Sequence, residues 1–309
     1  MDTEATPLKL DQKVFDLFDA YVHGIIERRA FLDRATKLAA TGATAGMSAT
    51  VLLDALNPRF VEAEQVPRND SRIHAESVSY DSPAGTGKVK GQLARPVSAN
   101  GKLPAILVIH ENRGLNPHIE DIARRLAVAG YMAFAPDALT SLGGYPGDED
   151  KARELFAKLD QARTREDFLA AATYLAHRPD GDGRLGTVGF CWGWGMVNTL
   201  ATRVPTLAAG VAFYGMAPEL GAVPNIKASL QLHYAERDDR INASLPAYEA
   251  ALKANHVAYE LYRYPGTQHG FNNDTTPRYE KDAAALAWKR TLDFFQQHLR
   301  GVAGNATRP

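Results

Sequence analysis

The chain of 309 residues has a single cysteine, almost no net charge and no long apolar run. Cys191 cannot form an intramolecular disulfide, and neither C-x-x-C nor H-E-x-x-H occurs, so we expect no structural zinc site and no cofactor. A formal net charge of -1 gives no general attraction to nucleic acid. With 45% hydrophobic and 23% charged residues, the composition fits a globular protein with a sizeable core.

The N-terminal segment, residues 1–66, differs in composition from the rest of the chain. Residues 13–26 place apolar side chains at helical spacing, which predicts an amphipathic helix. The pair Arg28-Arg29, followed by Ala-Phe-Leu, resembles a twin-arginine export signal. The segment is therefore predicted to be helical and signal-like, and it is kept apart from the fold of the domain that follows.

A weakly apolar run without charges, residues 38–53, follows the two arginines. It is shorter than the roughly 20 apolar residues that cross a bilayer, so we expect no stable membrane span. Residues 61–63, Val-Glu-Ala, offer a small-residue cleavage site. These features predict periplasmic export with the twin-arginine translocase as a partner. The alternative is a cytoplasmic protein that retains a helical extension, which the long charged leader before the arginines favours.

Residues 67–300 alternate between strand and helix patterns, and residues 301–309 are expected to be a flexible tail. The first two strand patterns predict a hairpin with Gly85 and Gly87 at its turn. An apolar run typical of a strand buried on both faces follows at residues 104–110, and a second short buried strand is predicted at 131–137. Further strands are predicted at residues 185–190, 208–215, 229–236 and 257–265. Helical patterns lie at residues 119–129, 149–176, 192–201, 246–255 and 279–299. This predicts an α/β fold with a mainly parallel sheet, helices on both faces and functional residues at the carboxyl ends of the strands.

The sequence Gly189-Phe-Cys191-Trp-Gly193 matches a nucleophile elbow with cysteine in place of serine. Such an elbow is a strained turn between a strand and a helix, and Cβ atoms at the flanking glycines would clash. The turn places the sulfur at a helix N-terminus, which stabilises a thiolate. The alternative is a buried structural cysteine, which behaves as a small apolar side chain. The strand before Cys191 and the helix after it favour the nucleophile.

The elbow predicts that an acid and then a histidine follow the nucleophile along the chain. Acidic residues follow the strand at 229–236, and among them we predict Asp238 as the acid, with Asp239 as the alternative. His269 follows the last strand in a glycine turn and is the predicted base. His233 lies within a strand, where a hydrogen-bonded core histidine is expected.

The stretch HENRG ends the first apolar strand, where this fold places a loop that contributes an oxyanion amide. We predict the backbone N–H groups of Asn112 and Trp192 as the oxyanion donors. Glu111, at the mouth of a buried strand and near a thiol, is predicted to take part in the chemistry. Its alternative role is an ion pair with Arg113 or Arg124.

Together, the motifs HENRGLN, AGYMAFAPD, GTVGFCWGWG, HYAERDD and YPGTQHGF resemble the dienelactone hydrolase (carboxymethylenebutenolidase) family of the α/β-hydrolase fold, over residues 72–300. The resemblance implies a small ester or lactone substrate and a triad of Cys191, His269 and Asp238. It also implies that Glu111 holds the resting thiol and helps to activate it. A thiol attacks an activated ester readily, and water then hydrolyses the thioester with His269 as general base.

Two positions depart from the family pattern, which carries arginines that bind a substrate carboxylate. Asn273 stands four residues after the histidine where the family has an arginine, and no arginine follows Asp137 closely. We therefore expect a substrate other than the carboxylated dienelactone, unless Arg113 replaces these arginines. Arg278 is a second candidate for that role.

Aromatic side chains near the elbow are candidates for the walls of the substrate pocket. We predict Trp194, Tyr145 and Phe271 as substrate-binding residues, together with the indole of Trp192, although core packing is an equal alternative for each. The glycine-rich loop at residues 139–150 is predicted to cover the site.

Three functions agree with these residues. The first is a thiol-dependent ester or lactone hydrolase. The second is a non-catalytic scaffold that binds a small molecule, although a scaffold has no need of nucleophile, acid and base together. The third is acyl transfer to an acceptor other than water, because the same acyl-enzyme serves both reactions. The physiological substrate and the oligomeric state are left open by the sequence.

Overall fold

The computed structural model describes residues 10–39, 47–99 and 101–301. Its strands are β1 (Ile73–Ser82), β2 (Gly87–Pro96), β3 (Leu103–Ile109), β4 (Met132–Pro136), β5 (Gly181–Phe190), β6 (Leu207–Phe213), β7 (Ser229–Arg237) and β8 (Tyr259–Gln268). They form an eight-stranded sheet in the order β1-β2-β4-β3-β5-β6-β7-β8. β2 pairs antiparallel with β1 and β4, and the other neighbouring strands are parallel.

Helices flank this sheet and precede it in the chain. They are α1 (Gln12–Val22), α2 (Arg28–Ala39), α3 (Ala49–Leu56), α4 (Phe60–Ala63), α5 (Pro117–Val128), α6 (Glu149–Phe156), α7 (Gln161–Ala176), α8 (Trp192–Arg203), α9 (Asp239–Asn242), α10 (Leu245–Ala254) and α11 (Lys281–Phe295). Short 3-10 turns lie at Ala138–Leu142 and Leu220–Asn225, and a π-turn at Gln296–Arg300 follows α11.

Two apolar cores lie on opposite faces of the sheet. Along β3, Leu107 packs into the core with α7 and α8, whereas Val108 packs into the core with α5 and α11. Successive side chains of a strand point to opposite faces, so a strand covered on both faces must be apolar throughout. The mainly parallel sheet with helices on both faces, predicted from the sequence, is confirmed.

The stretch predicted to be helical at residues 149–176 contains two helices with a break between them. α6 ends at Phe156 and α7 begins at Gln161. The Asp160 side chain accepts the backbone N–H groups of Ala162 and Arg163, so it caps α7 and starts a new helix. Both helices are charged on their outer face, which hid the break in the pattern.

The N-terminal helices α1 to α3 share an apolar cluster of their own, with Val14, Phe18, Tyr21, Phe31 and Leu52 among its buried members. The C-terminal end of α1 reaches the carboxyl edge of the sheet, where the Asn112 side chain donates to the backbone oxygen of Val22 at 2.8 Å. The segment therefore packs directly over the edge that carries the predicted functional residues.

Export and cleavage of this segment stay predictions, which the mass of the mature chain recovered from cells would test. Arg28, the first of the predicted signal pair, lies in α2 and pairs with Asp150 at 3.2 Å. Part of the uncharged run, residues 40–46, and residues 302–309 of the predicted tail lie outside the described residues. Among the helices that are described, none has the length and apolar character needed to cross a membrane.

The buried carboxylate of Asp137, directly after β4, organises the loops beside the site. It accepts the backbone N–H groups of Leu115, Leu139 and Tyr145 at 3.0–3.1 Å. The loop after β3 and the glycine-rich loop at residues 139–150 are thus held by one side chain.

We predict that Asp137→Ala lowers the free energy of unfolding by about 3 kcal/mol, because it leaves three amides without their acceptor. The matched control is Asp148→Ala, which removes an exposed cap whose side chain, among the described residues, accepts the N–H of Lys151 alone. That change should cost about 1 kcal/mol. Urea denaturation of both variants measures the difference, and equal losses would contradict the role given to Asp137.

Candidate active site

Cys191 lies between β5 and α8 in a backbone conformation that side-chain-bearing residues rarely adopt. Its φ is 53° and its ψ is -109°. Such strain costs on the order of 1–3 kcal/mol, so the surrounding structure must impose it. The backbone N–H of Cys191 donates to the carbonyl of Phe213 at 3.0 Å, which fixes the turn to β6.

The two flanking glycines leave no room for a side chain. A Cβ on Gly189 would lie 2.3 Å from the carbonyl oxygen of Gly193. A Cβ on Gly193 would lie 2.6 Å from the carbonyl oxygen of Ile109 in β3. The turn is therefore packed backbone against backbone, which agrees with the clash argued from the sequence.

The helix α8 starts immediately after the sulfur-bearing residue. Cys191 is its N-cap and Trp192 its first residue. The Trp194 N–H donates to the carbonyl of Cys191 at 3.1 Å, whereas the N–H groups of Trp192 and Gly193 have no acceptor inside the helix. Their partial positive charge favours a thiolate and an oxyanion at this point. Asn112 and Cys191 line the same two cavities. The oxyanion roles of Trp192 and Asn112 stay predictions.

His269 and Asp238 form a buried pair at the carboxyl edge of the sheet. The Nδ1 atom of His269 lies 2.7 Å from Oδ2 of Asp238. Nε2 of His269 is buried without a hydrogen-bond partner among the described residues. A ring nitrogen of His269 lies within 4.8 Å of the Cys191 sulfur. The alternative acid, Asp239, is exposed at the start of α9.

His233 is a hydrogen-bonded core histidine, as its position within β7 indicated. Its ring nitrogens contact the hydroxyl of Tyr264 at 2.8 Å and Oε1 of Gln231 at 2.9 Å. Burial lowers the pKa of His233 to about 3, so the ring is neutral.

A second imidazole, which the sequence analysis did not single out, contacts the thiol directly. His23 caps the C-terminus of α1, and its Nε2 lies 3.3 Å from Sγ of Cys191. Its ring meets that of His269 edge to face, with the centroids 4.8 Å apart. Two histidines from opposite ends of the chain therefore converge on one sulfur.

His23 has its own carboxylate partner. Its Nδ1 lies 2.8 Å from the backbone oxygen and 3.2 Å from Oδ1 of Asp19, one turn earlier in α1. The Asp19 carboxylate also faces the guanidinium groups of Arg240 at 3.6 Å and Arg278 at 3.7 Å. Burial works against charge on Asp19, but His269, His23 and Arg278 hold its pKa far below the usual range.

The electrostatic surroundings favour a charged His23. Burial alone would lower its pKa, yet the sulfur of Cys191 and the carboxylate of Asp19 raise the pKa of His23 above its ordinary value. The positive charge of a neighbouring His269 would act in the opposite direction. The balance allows a proton to rest on His23 next to the sulfur.

Glu111 and Arg113 are engaged with other groups. Oε2 of Glu111 accepts a hydrogen bond from Nδ2 of Asn273 at 3.3 Å, the position where the family pattern has an arginine. Nη1 of Arg113 donates to Oδ1 of Asn112 at 2.7 Å, and its Nε lies 3.6 Å from Glu149. Both side chains line a cavity that Cys191 also lines, so their predicted roles remain predictions.

Two of the predicted pocket walls are core residues instead. Trp194 and Phe271 are fully buried, and a side chain with no exposed surface cannot wall an open pocket. Trp194 packs edge to face on Tyr234, and Phe271 packs on Tyr264. Their apolar area is needed in the two cores, which is the alternative that the sequence left open.

Tyr145 does not reach the site, although the end of its loop does. The hydroxyl of Tyr145 donates to Oε1 of Glu149 at 2.8 Å, and the ring packs against the apolar core. The Tyr145 side chain does not line the two cavities at the thiol. Glu149 and Asp150, at the end of the same loop, do line one of them with Cys191. The loop therefore borders the site through its last residues.

The thiol opens onto two spaces of different character. A largely apolar cleft of about 420 Å³ is walled by Phe156, Ala157, Trp192, Met216 and Ile241, among others. A polar cavity of about 40 Å³ lies next to Glu111, Arg113 and Arg278. His23 borders both spaces, so α1 forms a shared wall between them.

The group His23, Cys191 and His269 has ligand atoms within 4.8 Å of one another, a spacing that a metal ion could bridge. However, Nη2 of Arg240 lies 3.2 Å from Nε2 of His23. This guanidinium donates to the nitrogen lone pair that a metal would need.

The residues that the sequence analysis missed, His23, Asp19 and Arg240, carry no motif. The only local signal for His23 is a histidine at the end of an amphipathic pattern, which is an ordinary helix cap. The role of His23 depends on where α1 packs, and the spacing of residues along the sequence does not predict that packing.

The chain is similar in sequence and fold to known proteins. Residues 89–299 match the model described as "Dienelactone hydrolase family", and residues 1–40 match one described as "YqhI-like". A protein of Escherichia coli (strain K12), provisionally named the hydrolase fragment YghX, is 54% identical to this chain over 114 residues. These residues cover 37% of this chain and 97% of the fragment.

Longer relatives extend the likeness across the domain. A provisionally named carboxymethylenebutenolidase of Saccharolobus solfataricus is 33% identical over 258 residues, which cover 72% of this chain and 98% of the relative. The crystal structure of a provisionally named dienelactone hydrolase from Klebsiella pneumoniae superposes with a TM-score of 0.64 at 30% identity. That superposition covers 72% of this chain and 99% of the other.

We predict that Gly193→Ala destabilises the protein, because its Cβ must displace the carbonyl groups of Ile109 and His110. Gly195→Ala, in the same helix, is the matched control, since a Cβ there meets nothing within 4 Å. It should stabilise the protein by about 0.5–1 kcal/mol through helix propensity. Thermal unfolding would show shifts of opposite sign, and a stabilising Gly193→Ala would contradict the tight elbow.

Proposed function

The chain belongs to the dienelactone hydrolase family, and from this premise we propose that it hydrolyses small esters or lactones through a thioester on Cys191. The observation that carries the proposal is the strained turn at Cys191. This turn presents the sulfur at a helix N-terminus and beside the buried His269–Asp238 pair. A binding scaffold gains nothing from holding a residue at a positive φ of 53°.

The proposed reaction has two stages on the same sulfur. The thiolate of Cys191 attacks the acyl carbon, the C–S bond forms, and the ester C–O bond breaks as its oxygen takes up a proton. Water then attacks the thioester while Nε2 of His269 takes its proton, and the C–S bond breaks. Asp238 holds Nδ1 of His269, which leaves Nε2 directed to the reacting groups.

The cavities support a substrate with an apolar part. The cleft of about 420 Å³ beside the sulfur falls within the range of small-molecule sites. Asn273 donates to Glu111 and supplies no cation where the family pattern has an arginine. This supports an ester or lactone other than the carboxylated dienelactone, with its apolar group in the cleft. A charged group next to Arg113 and Arg278 is the alternative.

We predict that Cys191→Ala reduces hydrolysis of a p-nitrophenyl ester by at least about a thousand-fold, because no covalent intermediate can form. Activity that survives this change would refute the proposal. In His269→Ala the thioester should accumulate instead, and the intact mass of the protein would show the added acyl group. Product formed with an added alcohol distinguishes acyl transfer from hydrolysis.

We also predict that Ala157→Trp raises KM for a p-nitrophenyl hexanoate roughly tenfold relative to the acetate, because the indole fills the apolar cleft. Lys158→Trp is the matched control, since Lys158 is the next residue and lies outside the lining of the cleft. Steady-state kinetics with both esters tests the assignment. An equal change for both esters, or the same change at position 158, would place the acyl group elsewhere.

A further inference from the structure

We propose that His23 is a second catalytic histidine, which takes the proton of Cys191 and holds the resting nucleophile as a thiolate, with Asp19 as its positioning carboxylate. This inference rests on the proposed thiol chemistry and on a chain that retains α1, so it excludes the predicted cleavage at residues 61–63. It adds a residue from outside the dienelactone hydrolase match, which begins at residue 89. The site then contains two imidazole–carboxylate pairs that face one sulfur.

The geometry assigns the proton positions. Nδ1 of His23 donates to the backbone oxygen of Asp19 at 2.8 Å, so this nitrogen carries a hydrogen in either charge state. When the ring is neutral, Nε2 is an acceptor for the thiol at 3.3 Å and for Nη2 of Arg240 at 3.2 Å. When the ring is charged, Nε2 donates to the thiolate. His269 has a similar arrangement, with Nδ1 on Asp238 and, within the part of the chain that the structure describes, no partner for Nε2.

The two histidines have separate tasks. Among the described residues, His23 is the hydrogen-bond partner of the Cys191 sulfur, whereas Nε2 of His269 has no hydrogen-bond partner. Glu111, which the family resemblance assigns to the resting thiol, is instead engaged by Asn273. The sulfur therefore rests against a base that can become a cation, not against a carboxylate, and a thiolate is stabilised.

The charged groups around His23 come from each element packed against it. They are Asp19 on α1, Cys191 at the start of α8, Arg240 on α9, His269 after β8, and Arg278 in the following loop. Arg240 opposes a proton on Nε2, while the ionised Asp19 and the thiolate favour it. The pKa of His23 is raised despite its burial, which agrees with the ion pair.

The proton balance closes over one turnover. At rest, Nε2 of His23 carries the proton that left the sulfur. After the C–S bond forms and the ester C–O bond breaks, this proton goes to the leaving oxygen. His269 then takes a proton from the attacking water, the C–S bond breaks, and the proton on His269 returns to His23. The net reaction is ester and water to acid and alcohol.

The pH dependence of Cys191 alkylation tests this inference, and the chain has no other thiol to interfere. Iodoacetamide labelling of the full chain, followed by intact mass, gives the labelling rate at each pH. We expect rapid labelling at pH 7, because the thiolate is the species that reacts. His23→Asn should slow labelling at pH 7 roughly tenfold. Asp19→Asn should slow it by less.

His177→Asn is the matched control. His177 caps α7 as His23 caps α1, and its Nδ1 contacts the backbone oxygen four residues earlier at the same 2.8 Å. It is exposed and far from the sulfur in the fold, so its replacement should leave the labelling profile unchanged. A general effect of losing a helix-capping histidine would appear in both variants and would overturn the inference.

Kinetics separate this inference from the proposed function. His23→Asn should slow the burst of p-nitrophenol that reports acylation, whereas His269→Ala should slow the steady state that follows. If Cys191→Ala abolishes hydrolysis but a folded His23→Asn keeps the wild-type labelling profile and burst, His23 is not the base. If the labelling rate depends on His23 but no ester is cleaved, the proposed function fails alone. Labelling that changes on addition of a chelator would indicate a bound metal and overturn the ion pair.

Discussion

The close packing of backbone against backbone at the elbow is the constraint on which the site depends. Gly189 and Gly193 lie so near the carbonyls of the same turn and of β3 that only hydrogen fits between them. This contact forces Cys191 to the positive φ that directs its sulfur out of the sheet and onto the N-terminus of α8. Burial of apolar side chains in the two cores offsets the strain energy of this turn. If β3 or β6 were loosely packed, the turn would relax.

The parallel sheet then brings distant residues to the same edge. Cys191, Asp238 and His269 each follow the carboxyl end of a strand, and these ends meet on one side of the sheet. Asp137 holds the neighbouring loops from the end of β4 in the same way. Regular secondary structure thus supplies the positions, and short loops supply the reactive groups.

Much of this arrangement could be predicted from the sequence, because it depends on local patterns. Short apolar runs identified the strands, the glycines identified the turn, and the chain order pointed to Asp238 and His269. The break between α6 and α7 was missed because both helices share a charged face. Trp194 and Phe271 were placed in the pocket because aromatic residues near an elbow suit either a pocket or a core, and only packing decides between them. His23 could not be found at all, since its partner lies 168 residues away.

The position of α1 links access to the thiol with the charge of the thiol, although sequence motifs give no sign of this link. The same helix walls both cavities at the sulfur and places an imidazole on it, so access to the thiol and the charge of the thiol depend on one contact. The Asn112 side chain stabilises the contact between His23 and Cys191 by donating to the carbonyl of Val22, the residue before His23. A displacement of α1 would open the cleft and at the same time remove the base. Under the proposed chemistry, an ester large enough to push the helix aside would therefore meet a less reactive nucleophile, which would favour small substrates.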